Sequence, residues 1–192
     1  SFMIANAAIT IRPATVDDVS LIARNVLDAV GMEHPDKEAI DCLAELCRRS
    51  DVLYSWANTD IALLGDRPVG SLTSYDGGLY AEMRAKTFPE LEKFVGLDFS
   101  KMSVETGPGE FYFDSLAVLP EFRGQGIGTL LMQHGIAKAR ALHFSRIALL
   151  VDFENPDAMH LYKSLGFKKE GEMYLFSTLY ARMIVEIGPE ER

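Results

Sequence analysis

Residues 111–142 read FYFDSLAVLPEFRGQGIGTLLMQHGIAKARAL and carry the clearest pattern of the chain. The first eight are mostly aromatic and aliphatic, which is typical of a strand, and Pro120 interrupts them. A glycine-rich loop over residues 123–128 follows, and apolar residues then recur at helical spacing to about Leu142. This segment predicts a strand, a loop and a helix in direct succession.

The glycine-rich loop has the chemistry of an anion-binding site. The first turn of a helix has amide N–H groups without intrahelical partners, and the helix dipole makes that end partially positive. Gly124, Gly126 and Gly128 have no Cβ atoms that would keep a phosphate away from the backbone. The loop therefore predicts a pyrophosphate site, although a turn that merely needs small residues is the structural alternative.

Three other nucleotide-binding motifs do not fit the loop. A Walker A motif needs Lys followed by Ser or Thr after its last glycine, whereas Thr129 and Leu130 follow Gly128. A dinucleotide fingerprint that starts at Gly124 would need its third glycine at Thr129. A protein-kinase loop needs a later His-Arg-Asp sequence, which the chain lacks.

The segment resembles the acetyl-CoA signature of the GNAT acetyltransferase superfamily, which is Arg or Gln, two residues, Gly, one residue, then Gly or Ala. Arg123, Gly126 and Gly128 match it. The resemblance is close over residues 111–171 and also includes Leu116, Ala117, Val118, Pro120, Asn155, Ala158, Tyr162, Leu165, Gly166 and Phe167. It implies one domain over residues 1–192 and an α/β fold, with a mixed twisted sheet of about seven strands and helices on both faces.

The remaining patterns agree with alternating strands and helices. Predicted strands are residues 9–12, 61–64, 69–74 (after a hairpin turn at 66–68), 146–151 at the sheet centre, 167–171 and 176–187. Predicted helices run to about Val30, over residues 36–49, and from the Asn155 cap to Gly166. Residues 77–109 exceed the usual length of a connection, so we expect an insertion with its own helix, which either shapes the acceptor site or only packs.

The resemblance also implies where acetyl-CoA binds. Strand four splays from strand five in this family, and the pantetheine arm lies in the gap between them. By resemblance, Asn155 and Tyr162 flank the thioester. The main-chain groups that meet the pantetheine belong to Leu116, Ala117 and Val118, and the amides that hold the pyrophosphate belong to Arg123, Gly124, Gln125, Gly126, Ile127, Gly128 and Thr129.

The implied reaction is acetyl transfer to a primary amine by direct attack in a ternary complex. An alkylammonium has a pKa of about 10.4, so a base is required. Asp114 is the leading candidate, because the two-residue period places it on one strand face with Tyr112, Leu116 and Val118. Glu110 shares that parity, but we expect it to be solvated at the strand start.

Two further groups complete the expected mechanism. The amide of Val118 is the expected donor to the oxyanion. Tyr162 is the expected general acid for the leaving thiolate, with a core aromatic as the structural alternative. Two other functions stay open: a catalytically silent acyl-CoA sensor, and transfer of a longer acyl group.

Charge and composition limit the partners. The net charge is −9 and no Lys/Arg-rich tract occurs, which disfavours nucleic acid. No run of 18 apolar residues and no secretion signal occurs, so we expect a cytoplasmic protein without a membrane partner. Cys42 and Cys47 and the four scattered histidines do not form a metal-binding pattern, so no metal is expected.

The acceptor is open among a small amine such as a polyamine, an amino-acid derivative, an aminoglycoside and a peptide amine; a homodimer is a further open point. We expect the acceptor to bind between residues 33–36 and the insertion, near Tyr80 and Glu82.

Overall fold

The computed structural model describes residues 8–32, 34–96 and 98–189. Within them lies one seven-stranded sheet with the strand order β1-β2-β3-β4-β5-β7-β6. The strands are β1 Ile9–Pro13, β2 Thr59–Leu64, β3 Arg67–Asp76, β4 Phe111–Val118, β5 Arg146–Asp152, β6 Lys168–Leu175 and β7 Thr178–Glu186. The α-helices are α1 Val19–Ala29, α2 Lys37–Cys47, α3 Tyr80–Val95, α4 Ile127–Ala141 and α5 Pro156–Ser164.

The sheet is mixed, because β4 and β5 are parallel while every other neighbouring pair is antiparallel. β5 lies between β4 and β7, so it is an interior strand, but β4 occupies the centre of the sheet that was predicted for β5. β4 pairs with β5 only from Phe111 to Phe113, opposite Ile147 to Leu149. Beyond Phe113 the two strands separate and leave a gap in the sheet.

Helices cover both faces of the sheet, as predicted. Adjacent residues of a strand point to opposite faces, and β4 shows this directly: Tyr112 belongs to one apolar cluster and Phe113 to the other. The first cluster is built with α1, α2 and α3, whereas the second is built with α4 and α5. Gly135 lets α4 approach the sheet, since a Cβ there would lie 2.6 Å from the ring of Phe113.

Two predicted turns are wrong by a few residues. The β2–β3 turn is formed by Gly65 and Asp66, whereas Arg67 already belongs to β3. β6 continues to Leu175, and Phe176 and Ser177 form the turn to β7 with φ angles of 48° and 68°. Positive φ at both central residues is the geometry of a type I′ hairpin turn, which matches the twist of the strands. The apolar side chain of Phe176 suggested a strand residue, which is why the sequence pattern misplaced this turn.

Residues 77–109 contain their own helix, α3, as expected. This helix contributes to the core, because Tyr80, Phe88 and Leu91 are buried. Arg84 donates hydrogen bonds to the carbonyl oxygens of Met102 (2.5 Å) and Ser103 (3.2 Å), which ties the following segment back to α3. The segment therefore packs as part of the fold, and removal of residues 79–104 would remove core side chains.

Candidate functional site

The gap between β4 and β5 exposes main-chain amides of β4. The Leu119 N–H donates to the carbonyl oxygen of Val69 in β3 at 2.8 Å. Because antiparallel strands alternate between residues that bond the neighbour and residues that face away, the amides of Leu116 and Val118 face the gap. Ala117 is opposite Ser71 and bonds β3 instead. Two of the three residues expected to meet a pantetheine thus present their backbone to the gap.

The glycine-rich loop leads directly into the first turn of α4. Gly126 is the N-cap, no side chain caps the helix, and the first helical bond runs from Leu130 N–H to Gly126 at 3.1 Å. The preceding amides, from Gly126 to Thr129, therefore have no helical partner. Gly124 and Gly126 have φ angles of 77° and 82°, and a Cβ at either would meet no atom within 4 Å. The space that an anion needs is open.

A groove of about 650 Å³ runs from this loop along the gap to α5. Of the predicted cofactor residues, Gln125 alone is absent from the described lining. The others are Leu116, Ala117, Val118, Arg123, Gly124, Gly126, Ile127, Gly128, Thr129, Asn155 and Tyr162. The fold thus brings together the residues that the sequence placed in one binding site.

Asn155 and Tyr162 are positioned by α5. The Asn155 Oδ1 accepts a hydrogen bond from the Ala158 N–H at 3.2 Å, which caps the helix and fixes its start. Tyr162 is 8% exposed, and burial raises its pKa to about 12. A phenol with this pKa keeps its proton at neutral pH and can donate it in a hydrogen bond.

A second cavity of about 160 Å³ adjoins the groove. Leu116, Asn155, Ala158 and Tyr162 line both spaces. We call this second space the acceptor cavity. Its other walls include three acidic residues, Asp114, Glu105 and Asp152, and the tyrosines Tyr54, Tyr112 and Tyr180.

Asp114 occupies a β-bulge. Thr73 of β3 is opposite Ser115 and Ser74 is opposite Phe113, so Asp114 is an additional residue in β4. The bulge interrupts the two-residue period, and Leu116 therefore packs with the second apolar cluster while Tyr112 packs with the first. The sequence predicted one common face of β4 for Tyr112, Asp114, Leu116 and Val118. This is wrong for Leu116 and Val118, which lie on the opposite face from Tyr112. Asp114 does line the cavity.

Two hydroxyl groups hold the Asp114 carboxylate. Tyr75 donates a hydrogen bond to Oδ2 at 2.5 Å, and Ser115 donates to Oδ1 at 3.3 Å. Burial raises the pKa of Asp114 to about 6, while these two hydrogen bonds act in the opposite direction. The group is therefore charged for most of the time at pH 7 and close to its titration range.

Glu105 is a site residue that the sequence did not reveal. Its Oε2 accepts a hydrogen bond from the Tyr112 hydroxyl at 2.6 Å. Burial and the negative charge of Asp114 together raise the pKa of Glu105 to about 7. Glu105 lies in an irregular segment before β4, where no periodic pattern indicates which side chains turn inward.

Other residues considered in the sequence lie elsewhere. Glu110 is 5% exposed and forms an ion pair with Arg182 at 2.6 Å, so the expectation of a solvated acid is wrong. Tyr80 is fully buried, and neither Tyr80 nor Glu82 is among the described residues lining the acceptor cavity. Glu33, at the start of the predicted acceptor loop, lies outside the described residues.

Residues 8–32, 34–96 and 98–189 contain no cluster of three or more His, Cys, Asp or Glu side chains arranged to hold a metal ion. Within the same residues, no helix is both long enough and apolar enough to cross a membrane.

Comparison with known proteins identifies a family. The model of the acetyltransferase (GNAT) family matches residues 27–167. Spermidine N(1)-acetyltransferase of Escherichia coli (strain K12) is 37% identical over 62 residues, which are 30% of this chain and 32% of the relative. N-alpha-acetyltransferase 30 of Schizosaccharomyces pombe is 31% identical over 86 residues, which are 44% of this chain and 57% of the relative. The chain thus spans less than two thirds of these relatives.

Solved structures match over almost the whole chain. The crystal structure of an acetyltransferase has a TM-score of 0.75 and 30% identity, and the match covers 93% of this chain and 100% of that one. An N-acetyltransferase from Staphylococcus aureus Mu50 has a TM-score of 0.73 at 22% identity, covering 92% and 100% of the two chains. The second match shows the shared fold alone.

Proposed function

Since the chain belongs to the acetyltransferase (GNAT) family, we propose that it transfers an acetyl group from acetyl-CoA to a primary amine by direct attack in a ternary complex. One observation carries the proposal: the groove with the free amides and the cavity that contains Asp114 and Glu105 meet at Leu116, Asn155 and Tyr162. A thioester at this junction would face an amine held by the carboxylates.

The groove provides the donor site. The amides at the start of α4 would hold the pyrophosphate of acetyl-CoA, because they are unpaired and lie at the positive end of the helix dipole. The amides of Leu116 and Val118 face the gap, where the Leu116 amide would bond the pantetheine arm and the Val118 amide the thioester oxygen. Main-chain donors suit this role, since their position depends on the strand and not on a flexible side chain.

The acceptor cavity provides the base. An alkylammonium has a pKa of about 10.4, so its attacking form needs a group that removes a proton. We assign this step to Asp114, whose pKa of about 6 places its ionised form in excess at pH 7. Glu105, which is about half ionised at pH 7 because its pKa is about 7, adds further negative charge that attracts the ammonium into the cavity. The ammonium proton passes to Asp114 first, and the freed nitrogen lone pair then forms the bond to the acetyl carbon. As the carbon–sulfur bond breaks, the nitrogen loses its second proton, which the leaving sulfur takes up to give the free thiol.

The oxyanion and the leaving sulfur need hydrogen-bond donors. The Val118 amide is the donor that we assign to the oxyanion. When the carbon–sulfur bond breaks, the Tyr162 hydroxyl would donate to the sulfur. The pKa of Tyr162, about 12, exceeds the pKa of a free thiol, about 8.5, so the hydrogen bond to the thiolate is the main contribution that this geometry supports.

Thermal unfolding tests the donor site. A ligand at about 100 times its Kd stabilises a folded domain by about 2.7 kcal/mol, which raises the Tm of a domain of this size by several degrees. Acetyl-CoA should produce this shift and NADH should not. Absence of a shift with acetyl-CoA would contradict the proposed donor.

Release of free thiol across a panel of primary amines tests the reaction. Amine-dependent release of CoA supports an enzyme. Stabilisation by acetyl-CoA with no thiol release from any amine would instead support a silent acyl-CoA-binding protein. Faster release from butyryl-CoA than from acetyl-CoA would assign a longer acyl donor.

A further inference from the structure

A third cavity of about 250 Å³ lies behind the acceptor cavity and is almost entirely apolar. We call it the tail cavity. Its described lining comes from the end of α1, from α2 and α3, and from the β6–β7 turn, and it contains no charged side chain. An apolar cavity of this size is open to an apolar ligand, since one of about 150 Å³ in another protein binds benzene.

The tail cavity and the acceptor cavity have common walls. Val30, Tyr54, Phe99 and Phe176 line both. The rings of Phe99 and Phe176 are in edge contact, with centroids 5.1 Å apart and planes at 87°. Phe176 lies on the two-residue turn and is 39% exposed. Exposed side chains change rotamer rapidly, so rotation of Phe176 would join the two spaces.

Charged side chains line the acceptor cavity, whereas the described lining of the tail cavity contains none. Asp114, Glu105 and Asp152 line the acceptor cavity, and none of them lines the tail cavity. A second ammonium group placed in the tail cavity would lose its hydration, and it would meet no charged side chain among the described residues that line the cavity. Such burial is strongly unfavourable. The peptide groups of a longer substrate would also lose hydrogen bonds there. An alkyl or aryl group would gain from leaving water.

We propose that the acceptor is a primary amine with one apolar alkyl or aryl tail, whose amine lies at Asp114 and Glu105 and whose tail fills the tail cavity. This inference rests on the proposed acetyl transfer and specifies its acceptor. A six-carbon chain or a phenyl ring on a two-carbon linker matches the available volume. Diamines, polyamines and peptides are the competing acceptors.

Three amines test the tail directly. Propylamine carries the amine with a short chain, hexylamine adds three methylenes, and 1,6-diaminohexane replaces the end of a six-carbon chain with a second charge. Burial of one methylene improves binding about fourfold, so kcat/KM for hexylamine should exceed that for propylamine by about 60-fold. The diamine should be no better than propylamine.

Val95 offers a variant that acts on the tail cavity alone. It is the last residue of α3, is partly buried, and lines the tail cavity but not the acceptor cavity. Val95→Phe should fill the cavity and reduce kcat/KM for hexylamine to the value for propylamine, while propylamine itself is unchanged. Val95→Ala, which enlarges the cavity and keeps it apolar, is the control and should keep the preference for hexylamine.

The outcomes separate this inference from the proposed function. Equal kcat/KM for propylamine and hexylamine, a preference for 1,6-diaminohexane, or much faster turnover of a peptide N-terminus would each overturn the apolar tail while leaving acetyl transfer intact. No thiol release with any amine would overturn both. The wild-type amine series decides the matter even where Val95→Phe fails to fold.

Discussion

Replacing Asp114 by Asn, with Glu105→Gln as the parallel variant, separates the roles of these two partly buried carboxylates. Each replacement keeps the shape of the side chain and an oxygen that can accept the hydrogen bond from Tyr75 or Tyr112. Loss of a general base costs about 10²- to 10⁴-fold in rate. Asp114→Asn should therefore lower kcat by that factor, whereas Glu105→Gln should mainly raise KM for the amine.

The pH profile gives a second measure of the same assignment. With a pKa of about 6, about nine tenths of Asp114 is ionised at pH 7 and about one tenth at pH 5. The proposed mechanism thus predicts an acid limb near pH 6 in kcat/KM, together with a second ionisation near pH 7 from Glu105. Glu105→Gln should remove the second ionisation and leave the first. A wild-type rate for Asp114→Asn, or a larger loss for Glu105→Gln, would refute Asp114 as the base.

Stability should change in the opposite direction to activity. The folded-state pKa of Asp114 is raised from 3.8 to about 6, so the folded protein holds this proton more tightly than the unfolded chain. The resulting stabilisation is complete below about pH 4 and is lost as the pH rises through about 6. A shift of about two units corresponds to at most about 3 kcal/mol. Asp114→Asn should therefore be more stable than the wild type at pH 8, and urea unfolding at pH 4 and pH 8 measures the difference.

Three other changes have defined outcomes. Gly126→Ala places a Cβ in the open groove at φ 82°, so it should weaken acetyl-CoA binding in titration calorimetry; Gly65→Ala, at φ 59° in the β2–β3 turn, has similar backbone strain and should not. Tyr162→Phe should lower kcat by about 10²-fold with the acetyl-CoA thermal shift unchanged, and full activity across the pH range would exclude Tyr162 from the reaction. Gly135→Ala should lower the free energy of unfolding by about 1–3 kcal/mol, because the new Cβ would lie 2.6 Å from Phe113 and 2.7 Å from Leu72; unchanged stability in urea would show that α4 is free to shift.

The fold was accessible from the sequence where local chemistry determines it. The strand at residues 111–118 and the helix after the glycine-rich loop were predicted with nearly their observed bounds. The reason is that the spacing of apolar residues changes from a strand pattern to a helix pattern across this loop. The Asn155 cap likewise predicted the start of α5. Errors occurred at the β6–β7 turn, where the two positive φ angles belong to Phe and Ser in place of the usual Asn and Gly.

The candidate site was predictable only in part, and the difference has a physical cause. Residues 116–129 form most of the donor groove, largely through main-chain groups whose direction follows from the strand and the helix start. A sequence pattern indicates such groups directly. The direction of Asp114 was less certain because a bulge is set by the pairing with β3, and a two-residue period cannot show it.

The acceptor side depends on side chains that are distant in the sequence. Glu105 enters the site from an irregular segment, Tyr54 precedes β2, and Phe176 reaches it from a turn near the end of the chain. No local pattern relates these positions, and their contacts exist only after the sheet and α3 have packed. A family whose members share the local donor segment can therefore differ freely in the acceptor, since substitutions at these separate positions change the cavity without disturbing the amides that would bind acetyl-CoA. The tail cavity is for this reason the feature from which the acceptor of this chain should be determined.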